Sequence, residues 1–150
     1  MVFVYTYKWI FGISGYTPHK SLVTLDCSGK GVEDDPYIIN KNVKPPRHMI
    51  IENSSDYILI EDFKFFSQIY IDNSSNIKIS NIKTENLTTK KSLNITIEKC
   101  VITRVLHFKK TNDFSVNNCE INSLKLTKIR SKDFTRRNIL DTNKVNKVYL

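Results

Sequence analysis

The sequence predicts an all-β solenoid: a chain wound into about five stacked coils of 18–20 residues, each coil holding three short strands. Two observations carry this. Apolar and Asn/Asp positions recur at that interval, most visibly where IENSSDYILIEDFK (Ile51–Lys64) is followed by IDNSSNIKISNIK (Ile71–Lys83), and self-similarity at a fixed period marks a repeat architecture. Within each period the apolar residues come in pairs two apart, the alternation of a strand. No period offers ten residues of 3.6 periodicity, so helices are excluded.

A chain of 150 residues with 40% hydrophobic residues and only four Gly and four Pro is expected to form one domain with a real core. Residues 1–26 contain MVFVYTYKWIFGISG, which alternates aromatic with β-branched residues, carries Lys8 in its middle and lacks a basic leader. They are expected to form first strands or a cap rather than a signal peptide. Residues 27–48 lead into the repeat, 49–141 hold the coils, and 142–150 form a C-terminal cap.

The coils align in columns. The first strand gives Met49, Ile69, Leu87, Leu106, Leu124 and, two residues on, Ile51, Ile71, Thr89, Phe108, Leu126. The second gives Ile58, Ile77, Ile95, Phe114, Phe134, then Ile60, Ile79, Ile97, Val116, Arg136. The third gives Phe63, Ile82, Cys100, Cys119, Ile139, then Phe65, Thr84, Ile102, Ile121, Asp141. Three strands this short bury their inner faces only if successive turns stack, each strand pairing in parallel with its counterpart at ~4.8 Å. Polar columns supply the corners: Asp62, Asn81, Lys99, Asn118, Asn138 and Asn76, Asn94, Asp113, Asp133. Asn and Asp tolerate left-handed backbone and bond their own chain, and stacked Asn side chains can bond one another.

The motif in IKISNIK, ITIEKCVI and FSVNNCEI, together with CSGKGVEDDPYII at Cys27–Ile39, resembles right-handed parallel β-helix proteins, the pectate-lyase-like superfamily. The resemblance implies a right-handed coil. It also implies two possible kinds of function, since the superfamily mixes polysaccharide lyases and hydrolases with non-catalytic members.

None of the outward columns that begin at Ile50, Leu59, Glu61 and Lys64 stacks two acids in neighbouring coils. Glu61 and Glu98 share a column two coils apart, ~9.6 Å at the usual strand spacing, and Asp34-Asp35 lies in the turn before the coils. An acidic-polysaccharide lyase or hydrolase using these residues is the alternative, and a non-catalytic binding or assembly protein is the leading expectation. His19, His48 and His107 have no metal-pair spacing, and Cys27, Cys100 and Cys119 have no C-x-x-C, so no metal or cofactor is expected. Cys100 and Cys119 share a core column and read as apolar thiols. The odd cysteine number favours a reducing compartment, and no apolar run is long enough for a membrane-spanning helix.

Charge points to the partner. Residues 1–75 hold 7 Lys+Arg against 9 Asp+Glu, and residues 76–150 hold 16 against 6. A basic half of this kind draws polyanions such as an acidic glycan or a nucleic acid, or an acidic protein surface. Candidate contact residues are Tyr70, His107 and Lys125, which share one flat outward column, and the basic run Lys128, Arg130, Lys132, Arg136 and Arg137. At Arg136 and Asp141 polar residues stand where earlier coils are apolar, marking an end that needs a polar cap or binds an anion. Association of copies through coil ends or faces is also expected. The Asn-, Ile- and Lys-rich composition suits an AT-rich microbial or viral genome.

Overall fold

The computed structural model describes residues 3–6, 28–40, 48–64, 66–129 and 143–150, with the backbone alone for 3–6 and for Phe66. The described residues form strands and no helix. In chain order these are β1 (Phe3–Thr6), β2 (Tyr37–Ile39), β3 (His48–Glu52), β4 (Ile58–Glu61), β5 (Phe66–Asp72), β6 (Ser75–Ser80), β7 (Lys83–Lys90), β8 (Leu93–Glu98), β9 (Val101–Lys109), β10 (Asn112–Asn117), β11 (Glu120–Thr127) and β12 (Lys144–Tyr149). They make two sheets, β1-β3-β5-β7-β9-β11-β12 and β10-β8-β6-β4-β2. Every pairing is parallel except β1 with β3. The chain therefore winds from one sheet to the other and back, a parallel β-solenoid of about four turns.

The inward columns hold. Ile58, Ile77 and Ile95 are in register, as are Ile39, Ile60, Ile79, Ile97 and Val116, and Met49, Ile69, Leu87, Leu106 and Leu124. All are buried in a single cluster, and burying each such side chain contributes roughly 1.5–3 kcal/mol. Phe108 and the half-buried Phe114 stack across the interior with ring centroids 4.0 Å apart. The segment before the repeat takes part as well. Its Tyr37–Ile39 is β2, paired with β4, so the winding begins before Met49.

The described segments differ from the expected coil in three places. Thr84, Ile102 and Ile121, the second members of the third pairs, lie on one continuous strand with the first pair of the next coil, and Ile82, Cys100 and Cys119 stand just before it, so each described turn has two strands, not three. Left-handed residues interrupt the chain at the ends of the second sheet and after each first-sheet strand, and none falls between Ile82 and Leu87, Ile102 and Leu106, or Ile121 and Leu124. The strand bends there instead, with a bulge that gives β9 one residue more than β7 or β11. Phe66, not Phe65, pairs with Thr84, and Phe65 itself lies outside the described residues. Val145, not Asp141, follows Ile121, because 24 residues separate these partners where 18–20 was expected. Arg136, Ile139 and Asp141 lie outside the described residues, as do Phe134, Asp133 and Asn138.

The corners explain how a coil turns with so little glycine. Asp62, Asn81, Lys99, Asn118, Asn76, Asn94 and Asp113 all have φ between 46° and 60°, as the sequence predicts, and a further column, Asn53, Asn73, Lys91, Lys110 and Lys128, shares the conformation. Amides ladder along the stack: Asn81 Nδ2 donates to Asp62 Oδ1 at 2.7 Å, Asn94 Nδ2 to Asn76 Oδ1 at 2.9 Å, and Asn73 Nδ2 to Asn53 Oδ1 at 2.7 Å. Immediately after the third corner column, Ser54, Ser74, Ser92 and Thr111 turn inward and are buried. Ser74 Oγ donates to the Asp72 carbonyl at 2.8 Å and accepts the Ser54 N–H at 3.2 Å, and Ser92 Oγ repeats this with Lys90 at 2.8 Å and the Ser74 N–H at 3.4 Å. Each corner thus satisfies backbone groups that the turn would otherwise strand in the core.

Candidate functional site

The outer face of the first sheet is the candidate site, and the ladder brings together the residues expected there. Ile50, Tyr70, Thr88, His107 and Lys125 stand in register on adjacent strands, and β12 adds Tyr149 to the column. Lys109 lies two residues beyond His107 on the same face, in register with Lys90 and Thr127. His107 Nε2 lies 3.0 Å from Thr127 Oγ1. Burial pushes the imidazole below its ordinary range, and Lys125 and Lys109 push it further. The ring is neutral at pH 7 and sits in a positive field.

In the column of Lys109, toward β5, the charges are spent on one another. Lys90 Nζ reaches Asp72 Oδ2 at 2.7 Å, and the Tyr70 hydroxyl donates to the same oxygen at 3.4 Å. That hydrogen bond to Asp72 raises the Lys90 pKa above its ordinary value, and Tyr70 adds to the effect. Free cations therefore collect toward β9 and β11, while Tyr70 belongs to the neutralised end. Lys128 is placed off the face, at the corner after β11. Arg130, Lys132, Arg136 and Arg137 lie outside the described residues.

Glu61 and Glu98 do share an outward column, with Ser80 between them, but the expectation that no two acids stack in neighbouring coils fails in a further column, one residue after the first apolar pair, where Glu52 and Asp72 are in register on β3 and β5. Glu98 is held by Lys78 Nζ at 2.9 Å and by the Ser80 hydroxyl at 3.2 Å. The lysine contact keeps its carboxyl below the usual glutamate value, despite an opposing push from partial burial. Asp35 closes a turn: its carbonyl accepts the N–H groups of Lys30, Gly31 and Val32 at 2.9, 2.9 and 3.3 Å. Gly31 makes that turn possible, with φ at 77° and the Tyr37 ring 2.4 Å from where a Cβ would stand.

Cys100 and Cys119 are buried and stacked, with the Cys100 N–H donating to Cys119 Sγ at 3.4 Å. Each thiol donates to the carbonyl two residues back, Glu98 at 3.1 Å and Asn117 at 3.3 Å, the role Ser74 and Ser92 play at the other corner. Hydrogen bonding with Cys119 and burial push the Cys100 thiol well above its ordinary range, which suits a packing group better than a ligand. Among the described residues no cluster of three His, Cys, Asp or Glu could hold a metal ion, and no helix is long and apolar enough to cross a membrane.

Two features escaped the sequence. Tyr149 was missed because the longer interval before β12 breaks the period. The lysine corner leaves no mark beyond the shared phase of Asn53-Ser54, Asn73-Ser74, Lys91-Ser92 and Lys110-Thr111, because lysine is not a residue that signals a left-handed turn. At its Asn end this corner carries a shallow groove of ≈ 330 Å³ lined by Asn53, Ser55, Asn73, Ser75, Lys91 and Leu93 among others. No protein-family model, curated protein or solved structure matches the chain.

Proposed function

We propose that this chain is a non-catalytic, right-handed β-helix of about five coils, akin to the pectate-lyase-like superfamily, which presents the outer face of its first sheet and its basic C-terminal half to an anionic partner. Glycan, nucleic acid and acidic protein are the admissible classes. The observation that supports this most is His107, which stands in register with Lys125 and two residues from Lys109 on one outward face; burial first, and then the charge of these two lysines, push its imidazole below the ordinary range. A site that disfavours one more proton is one that an anion would relieve. Cleavage of an acidic polysaccharide, the alternative, gains nothing from Glu98, which Lys78 already holds. Association of copies through the coil ends remains part of the proposal.

Heparin serves as a generic polyanion for the test. Binding should weaken as salt rises, and by linkage it should raise the His107 pKa, so that affinity grows as pH falls through the ordinary histidine value near 6.5 toward the lowered value of the free protein. An NMR titration of His107 that heparin leaves unmoved, with no retention at low salt, would remove the proposal.

A further inference from the structure

Lys91, Lys110 and Lys128 stand at one corner of three successive turns, with φ of 49°, 52° and 56°. All three side chains are exposed. In the two turns before Lys91 the same column holds Asn53 and Asn73, which suit a left-handed backbone and bond each other. Lysine there is worse on three counts. It strains the backbone, forgoes the amide ladder and sets like charges one strand spacing apart, ~4.8 Å. Lys99 shares the conformation at another corner, but singly, between Asn81 and Asn118. A costly feature repeated three times in a row with no structural return points to a ligand.

Geometry narrows the ligand. The lysine row runs parallel to the column of His107, Lys125 and Tyr149, and three residues separate the two along the strand, from His107 to Lys110 and from Lys125 to Lys128, about 10 Å. Lys109 lies between them. Tyr149 is 52% exposed, so its ring is available for stacking. In a uronic-acid chain the carboxylate and the stacking face belong to the same ring, and charge and platform would coincide. In a nucleotide strand the sugar separates phosphate from base, and recognition needs two parallel tracks. Two described acids lie near the row: Asp72, on the platform side, is already engaged by Lys90 at 2.7 Å, and Asp113 lies three residues beyond Lys110, on the side away from the platform.

We propose that this corner and face form a two-track site for single-stranded nucleic acid, with phosphates on Lys91, Lys110 and Lys128 and bases over His107 and Tyr149. The proposal rests on the polyanion-binding reading and goes further by choosing the polymer.

Fluorescence anisotropy with labelled oligo(dT), run beside heparin, tests it. The triple variant K91N/K110N/K128N should keep or raise the melting temperature, since Asn fits these turns. Its plot of log affinity against log salt should be shallower by about 2, near 0.7 for each of three phosphates. Tyr149→Ala should weaken oligo(dT) about fivefold or more and leave heparin unchanged. A triple variant with wild-type affinity and slope would overturn the lysine assignment. Heparin binding that needs these lysines, alongside oligo(dT) binding indifferent to Tyr149, would overturn the choice of nucleic acid and leave the broader reading standing. Binding of neither polymer at low salt would end both.

Discussion

A single backbone conformation does much of the work in this molecule. Asn and Asp were readable as corners because their side chains stabilise left-handed turns, and Asn81 on Asp62 or Asn94 on Asn76 behave accordingly. Lys91, Lys110 and Lys128 were not readable, because their conformation is imposed by the turn above and below, not by their own preference. Charge at this scale is mostly local. Glu98 is held below its ordinary value by Lys78, so its contribution to stability is present above the unfolded value and is lost as pH falls through the folded one. Glu98→Gln should therefore cost up to about 1 kcal/mol at pH 7, as for a partly exposed pair. Urea midpoints of the variant and wild type should converge once the pH is well below about 4.3.

Strands and corners were legible to different degrees. Period-2 pairs locate the apolar inward columns from Met49 to Leu126, but they miss the buried column of Ser54, Ser74, Ser92 and Thr111, and they do not show that the end of the third pair shares a strand with the first, since a bend without a left-handed residue leaves no compositional mark. The β9 bulge is similarly silent: Thr103-Arg104-Val105 looks like ordinary strand. The corner after each first-sheet strand depends on buried hydroxyls, and Ser74 accepts one N–H and donates to one carbonyl there. Ser74→Ala should cost about 1–3 kcal/mol by leaving the Ser54 N–H without an acceptor. Ser75→Ala, one residue on and outside the ladder, should change the urea midpoint little.

At the scale of the whole chain, stability accrues turn by turn, because each turn contacts only its neighbours. A side chain in the middle of the stack is covered from both sides, and one at the last strand from one side only. Leu106 is fully buried whereas Val148, in register with Leu124, is 36% exposed. Leu106→Ala should lower stability by roughly 2–5 kcal/mol, and Val148→Ala by about 0.5 kcal/mol or less. Equal losses in thermal unfolding would mean that further chain covers β12. The candidate face was legible as far as Tyr70, His107 and Lys125, since register follows from period. Beyond Lys128 the period fails, and with it the alignment that would have located Tyr149.

The serine ladder has a consequence for the chemical lifetime of the protein. An asparagine ages when the backbone nitrogen of the next residue attacks its side-chain carbonyl and closes a succinimide, and Asn-Ser steps such as Asn53-Ser54 and Asn73-Ser74 are prone to it. Here the two attacking nitrogens are the ones tied to Ser74 Oγ and Ser92 Oγ. The same bonds that close the corner withhold the nucleophile, so Ser74→Ala should deamidate faster at Asn53 on storage as well as unfold sooner.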